Sequence, residues 1–322
     1  MSPALGRAKP RLPRLANWSG GLGFALMALA LAVLPLTNLV YPYFIMEALC
    51  FALFACAFNL LIGYAGLLSF GHAMFLGTGG YLCAQAATAW GLPAGLALST
   101  GTAAAALLGL VVGLLSLRRQ GIYFAMITLA LAQMVYFFFL QAPFTHGEDG
   151  IQGVPQGLLF GLFDLSNQTT LYYATLVVFL AGFLFIVRVI DSPFGEVLKG
   201  VRENESRMIS LGYKVDRYKL LAFVLSAALA GLAGALKAIV TQSASLTDAH
   251  WTTSGDVVLM TLVGGMGTIY GPVVGAFVIV AMQQYLAQFG QWVTVIQGLV
   301  FVACVLLFRR GIVGEVARWL RL

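Results

Sequence analysis

A chain of 322 residues that is 60% hydrophobic and only 9% charged cannot be a water-soluble domain. The surface of such a domain needs about a quarter of its residues charged. Eighteen basic against twelve acidic residues leave a net charge of +6, and the four cysteines form neither a CxxC pair nor, with histidine, a cluster at metal-ligand spacing.

In chain order, Arg7, Lys9, Arg11 and Arg14 precede the apolar run GLGFALMALALAVLPL at 21–36. Secretory signal peptides share this arrangement, and Ala30-Leu31-Ala32 is compatible with cleavage. An uncleaved first helix is favoured, because the rest of the chain also inserts and needs an orienting segment. Apolar segments then follow at 42–62, 68–89 and 94–117, before Arg118-Arg119. Two more, 121–141 and 171–190, lead to the charged stretch 191–218, and the last four are 219–240, 255–267, 271–289 and 292–308. The longer runs approach the ~20 residues that a helix needs to cross a bilayer. The expected fold is an all-α polytopic membrane protein with about ten transmembrane helices, some short or broken. One membrane domain at 21–310 is flanked by tails at 1–20 and 311–322.

Lysine and arginine cluster in residues 7–14, at 118–119, between Arg188 and Lys219, and between Arg309 and Arg321, leaving only Lys237 outside. Short loops rich in these residues stay cytoplasmic. An even number of segments separates each cluster from the next, so both termini are expected inside. The loops 142–170 and 241–254 hold Glu148, Asp149, Asp164 and Asp248 with no Lys or Arg, as the opposite face requires. Trp90, Trp251 and Trp292 fall at segment ends, where amphipathic rings prefer the interface. The glycine-rich stretch 255–275 reads equally as two short helices or as a broken pair that only partly crosses.

Polar groups at membrane depth are few: Glu47, Asn59, His72, Gln133 and Asp256. A charge near the bilayer centre costs on the order of 3 kcal/mol, so such groups face protein or water. Gly63 to Gly80, with Ser69, His72 and Thr78, reads either as close helix packing or as a broken helix that exposes backbone to a solute. Gly267, Gly271 and Gly275 repeat at four-residue spacing, which favours close packing. Glu47, Asn59, Ser69, His72, Gln133, Gly267 and Gly271 are the candidates for a translocation path. The four cysteines sit inside apolar runs and read as buried thiols. No paired carboxylates, Ser/His/Asp set, HExxH or GxxxxGK[ST] is present, so neither a catalytic site nor a bound metal or nucleotide is expected in this chain.

The stretch 191–218 opens with Ser192-Pro193, an N-cap followed by proline at the first helical position. Val197, Leu198 and Val201 share one face, and a second short helix at 203–211 ends at Gly212, which suits a left-handed cap. A solvated connector that only sets topology is one reading of it. A handle for a partner is the other.

The stretch FGEVLKGVRENESRMISLGYKVDRYKLLAFVLSAALAGLAGAL at 194–236 resembles the cytoplasmic loop and following helix of permease subunits in branched-chain amino acid ABC importers. GYAGLLSFGHAMFLGTGGY at 63–81, YFAMITLALAQM at 123–134 and TLVGGMGTIYGPVVGAF at 261–277 extend the resemblance, in the same order, over most of the chain from about residue 43. It implies that Glu203 to Gly212 is a coupling helix, with Glu203, Asn204, Ser206, Arg207, Ser210 and Leu211 as its contact residues and Gly212 at its end. It would dock on two cytoplasmic ABC ATPase subunits, which themselves bind ATP and magnesium, and this chain would carry no cofactor. A homologous second permease, a periplasmic binding protein and the lipid bilayer of a bacterial inner membrane are the other implied partners, with no nucleic acid. Leucine, isoleucine or valine is the implied cargo, with urea or short amides as the alternative. An autonomous channel or ion-coupled carrier is the competing class, and it would call for functional carboxylates deeper in the bundle than Glu47 and Asp256.

Overall fold

Each predicted apolar segment coincides with a helix in the computed structural model, which describes residues 16–37, 41–159, 163–290, 292–307 and 311–319. The basic residues Arg7 to Arg14, Arg309, Arg310 and Arg321 lie outside the described residues. Residues Met1–Tyr41 and Pro42–Leu322 form separate compact units. The first contains α1 (Ala16–Val33) and a short turn of tighter helix at Leu34–Thr37.

The second unit carries the remaining helices. They are α2 (Pro42–Asn59), α3 (His72–Thr88), α4 (Ala94–Ser116), α5 (Ile122–Gln141), α6 (Gln168–Ile190), α7 (Pro193–Glu203), α8 (Glu205–Ser210), α9 (Val215–Thr241), α10 (Trp251–Gly264), α11 (Gly271–Leu286), α12 (Trp292–Leu307) and α13 (Gly311–Trp319). Helix α2 continues through one π-helical turn, Leu60–Ala65, and stops at Gly66, whose φ of 72° is left-handed. Counting that turn, α2, α4, α5, α6 and α9 are long and apolar enough to cross a membrane.

Two ends of this bundle are fixed by contacts. At one, β1 (Ile151–Gln152) pairs antiparallel with β4 (Ser243–Ala244), and the Lys237 ammonium pairs with the Asp248 carboxylate. Beside them β2 (Leu158–Leu159) pairs with β3 (Phe163–Asp164). At the other end α7 and α8 meet the π turn of α2, the α4–α5 connection and the α10–α11 connection. Helix α10 starts beside the sheet end, where His250 packs on Tyr136, and finishes at the α7–α8 end. The glycine-rich stretch 255–275 is therefore two helices that run between the ends and turn tightly at 265–270. The predicted C-terminal tail is also helical over 311–319, and a Cβ at Gly311 would collide with the Gly264–Gly265 backbone.

Helices α3, α4 and α9 cross with their backbones in contact because glycine and alanine occupy the crossing points. A Cβ on Gly79 of α3 would strike the Gly231 carbonyl of α9. One on Gly101 of α4 would strike the Gly79 carbonyl, and one on Gly234 the Leu76 carbonyl. Small residues at such positions let helix axes approach where lipid supplies no hydrophobic drive. Gly77, Gly79 and Gly80 thus belong to packing, whereas residues 66–71 are a non-helical link. The predicted helix over 68–89 begins instead at His72, since the left-handed Gly66 ends α2 and a Cβ at Gly71 would meet the Thr128 carbonyl.

Helix α2 is apolar all round and almost entirely buried, as a central helix must be. Helices α4, α5 and α6 instead expose Leu107, Val111, Leu114, Met126, Phe137, Phe138, Val177 and Leu184. An apolar surface of this extent belongs to a chain that faces lipid or other membrane helices.

Candidate functional site

The α7–α8 projection is a built structure. Ser192 caps α7, its Oγ accepting from the Gly195 N–H at 3.4 Å and donating to the Val189 carbonyl at 2.6 Å, with Pro193 in the first turn. Leu198 and Val201 are buried and Val197 is half-buried, so the predicted apolar face is the one that packs inward. Asn204 makes the corner. Its N–H donates to Gly200, closing α7, while its Oδ1 accepts from the Arg207 N–H at 3.0 Å and opens α8. The predicted second helix at 203–211 is therefore shortened to Glu205–Ser210, and Glu203 ends α7. The reason is that an asparagine side chain competes with the helix ladder and favours a cap. Gly212 has φ 87° and, with Tyr213, returns N–H groups to the Ile209 and Met208 carbonyls, as the sequence implies.

The projection is anchored through a residue that the sequence did not single out. Glu205 accepts from Lys219 Nζ at 2.7 Å and from Gln120 Nε2 at 3.1 Å, tying α8 to the start of α9 and to the α4–α5 connection. A separation of fourteen residues across two helices leaves no periodic signal for this pair. Lys219 is only 5% exposed, although it is charged and lies near a helix start.

Outward, Glu203, Asn204, Ser206, Arg207, Ser210 and Leu211 are all exposed. The Ser210 hydroxyl is already turned back onto the Ser206 carbonyl at 2.9 Å. Ile209 and Leu211 are 57% and 65% exposed, and Tyr213 is exposed beside them. Tyr213 also packs edge-on against Tyr218, which stacks on Phe194, and these rings with Met208 and Val197 line a cleft of about 840 Å³. The tip thus combines charge with apolar surface, and Ile209 and Tyr213 add to it two residues that the charge pattern of the sequence does not mark.

The candidates for a translocation path divide. Asn59, 3% exposed, accepts from the Gly267 N–H and donates to the Thr268 carbonyl, both at 2.9 Å, so its amide pins the α10–α11 connection to α2. Gly271 is packed against Thr268 and the Gly264–Gly265 backbone. Ser69 is fully buried and its Oγ accepts from the Gly71 N–H. His72 is fully buried among Phe54, Phe58, Phe75 and Phe223. Its Nε2 lies 2.8 Å from Ser226 Oγ, and that hydroxyl donates to the Ala57 carbonyl. Because Ser226 spends its proton on Ala57, His72 must donate from Nε2. Glu47 and Gln133 are half-buried on α2 and α5. Asp256 accepts from Gln283 at 3.1 Å and from Gln297 at 3.2 Å, joining α10, α11 and α12. Cys50, Cys56 and Cys83 are buried and Cys304 is half-buried.

At the sheet end, the hydroxyl and N–H of Ser166 hold the Asp164 carboxyl below its ordinary range. Among the described residues no group of His, Cys, Asp and Glu is arranged to hold a metal ion.

A family model described as the permease component of the branched-chain amino acid transport system matches residues 40–307. The high-affinity branched-chain amino acid transport system permease protein LivM of Escherichia coli K12 is 28% identical over 257 residues, which cover 73% of this chain and 60% of that protein. Probable branched-chain amino acid transport permease proteins of Methanocaldococcus jannaschii also match. LivM is 31% identical over 108 residues (32% of this chain, 31% of that protein), and LivH is 29% identical over 125 residues (37% of each). No solved structure matches significantly.

Proposed function

The chain belongs to the branched-chain amino acid transport permease family, and from that premise we propose that it forms, with a second permease, the translocation path of an ATP-driven importer. Branched-chain amino acids are the proposed cargo. Two separate ATPase subunits that hold ATP and magnesium would supply the energy, and a periplasmic binding protein would deliver the solute. The chain itself is a multi-pass membrane permease and not an enzyme.

The observation that carries this reading is the ordered α7–α8 projection. A mere connector would not need two capped helices, an inward apolar face and a largely buried Glu205–Lys219 anchor. Short helices outside a membrane gain most of their stability from packing. The exposed Arg207, Ile209 and Leu211 offer a partner a charged and apolar tip. The projection shares its end of the bundle with Arg118 and Arg119, whereas Glu148, Asp149 and Asp164 belong to the sheet-end loops. Positive charge on short loops supports a cytoplasmic position for the α7–α8 end, and so an inner-membrane permease with both termini inside.

Of the path candidates, Glu47, Gln133 and Gly267 keep some surface available to a solute. Asn59, Ser69, His72 and Gly271 hold the walls. The test is reconstitution with both ATPases, the second permease and the binding protein, followed by leucine uptake with and without ATP. ATP-dependent uptake is expected. Full uptake without the ATPases defeats the proposal, and uptake of urea or a short amide in place of leucine reassigns the cargo.

A further inference from the structure

Arg202, in the last turn of α7, sits where three chain segments meet. Its Nη1 donates to the Gly63 carbonyl in the π turn that ends α2. The last carbonyls of a helix have no partner within it, and a cation there is also favoured by the helix dipole. Arg202 therefore closes α2 from outside. Its aliphatic stem lies against Gly66, where an added Cβ would be 3.1 Å from Arg202 Cγ. The guanidinium lies against Gly267, where an added Cβ would be 3.3 Å from Nη1 and 3.4 Å from the Gly63 carbonyl. Both glycines are left-handed, with φ of 72° and 73°. The side chain, although exposed, thus touches both glycine-rich connections that the sequence marks, and the Asn59 amide ties the second of them to α2. Gly63, Tyr64, Lys199, Arg202, Glu203 and Gly267 line a cleft of about 460 Å³ around it.

We propose that Arg202 is the linkage through which displacement of the α7–α8 projection reaches the ends of α2 and of the α10–α11 pair. This rests on the reading of α8 as the ATPase-docking element, but it concerns a different step, transmission after docking. Asn204, the corner between α7 and α8, follows Arg202 by two residues, so a pull on α8 arrives at α7 close to the guanidinium. A planar, forked donor suits this role, because it grips a carbonyl directionally while its stem lies against one glycine and its head against the other.

The test uses the complete transporter in proteoliposomes, with leucine as the probe. Arg202→Met keeps the stem and removes the donor, and Arg202→Lys keeps the charge without the fork. For Arg202→Met, unaltered co-purification with the ATPases and a fall of about tenfold in leucine moved per ATP are expected, the worth of one charge-assisted hydrogen bond. Arg202→Lys should recover part of the loss. Unchanged transport per ATP in Arg202→Met overturns the proposal. If that variant fails to assemble, the wild-type complex decides. Spin labels at Ser206 and Met266, both exposed, should keep one separation with and without trapped nucleotide, because the two segments move as one. A separation that changes with nucleotide overturns the linkage. Failure of the docking reading shows differently, as ATPases that never co-purify with the wild-type chain.

Discussion

Glu205 on α8 and Lys219 on α9 meet at 2.7 Å between the projection and the membrane bundle, with Gln120 donating to the same carboxylate. Breaking one side of a buried ion pair costs about 3–5 kcal/mol, and the partial exposure of Glu205 lowers that to roughly 2 kcal/mol. Glu205→Ala should therefore loosen α8 while the bundle stays folded. Hydrogen exchange should then rise by about tenfold or more across 205–213 and stay at the wild-type level in α2 and α9. Equal protection of α8 in the variant and the wild type would remove Glu205 as the anchor.

The tip of α8 separates two contributions to docking. Replacing Ile209 and Leu211 together by Asp should abolish co-purification with the ATPases, because buried apolar anchors carry most interface energy. Replacing Glu203 and Arg207 together by Gln should weaken it and reduce its dependence on salt, since rim charges act mainly on association. Both variants should insert into the membrane normally. A pair of variants with wild-type co-purification would point away from α8 as the docking element.

The backbone crossing of α3, α4 and α9 leaves no room for side chains. Gly79→Val and Gly231→Val should each destabilise the protein by about 1–3 kcal/mol or more through overpacking. Thermal unfolding followed by detergent-solubilised monodispersity measures this. Gly255, which faces open space within 4 Å, is the control and should tolerate alanine. Equal melting of the crossing variants and the control would contradict the packing described.

A thiol introduced at Gln152, exposed in β1 at the sheet end, should react with an impermeant maleimide in intact cells. One at Ser206 should react only after the membrane is opened. Reaction at Ser206 in intact cells would invert the proposed orientation and remove the proposed ATPase-facing role of α8.

The helices were legible because bilayer thickness imposes a length that apolar composition reports directly, as in 94–117 against α4 at Ala94–Ser116. The Ser192-Pro193 start and the Gly212 stop were legible because caps have local chemistry. Contacts between distant residues were not. Asn59 reads in sequence as an isolated amide at membrane depth, and only the fold brings Gly267 and Thr268 to it, more than two hundred residues away. The glycines of 63–80 carry one composition but two roles: Gly66 ends a helix, whereas Gly79 admits a neighbouring backbone. His72 resembled a solute contact by type, and its aromatic surroundings come from three helices.

The pairing of β1 with β4 means that the two ends of the bundle are fastened by different kinds of contact. Backbone hydrogen bonds there join loops more than ninety residues apart, and the Lys237–Asp248 pair, with Lys237 over the Phe51 ring at 4.9 Å, rivets the same corner. The opposite end is joined by individual side chains around glycines. On the proposed orientation the doubly fastened corner is the outer rim, so exchange of solute with the outside would call for whole subunits to part there instead of a loop lifting from it.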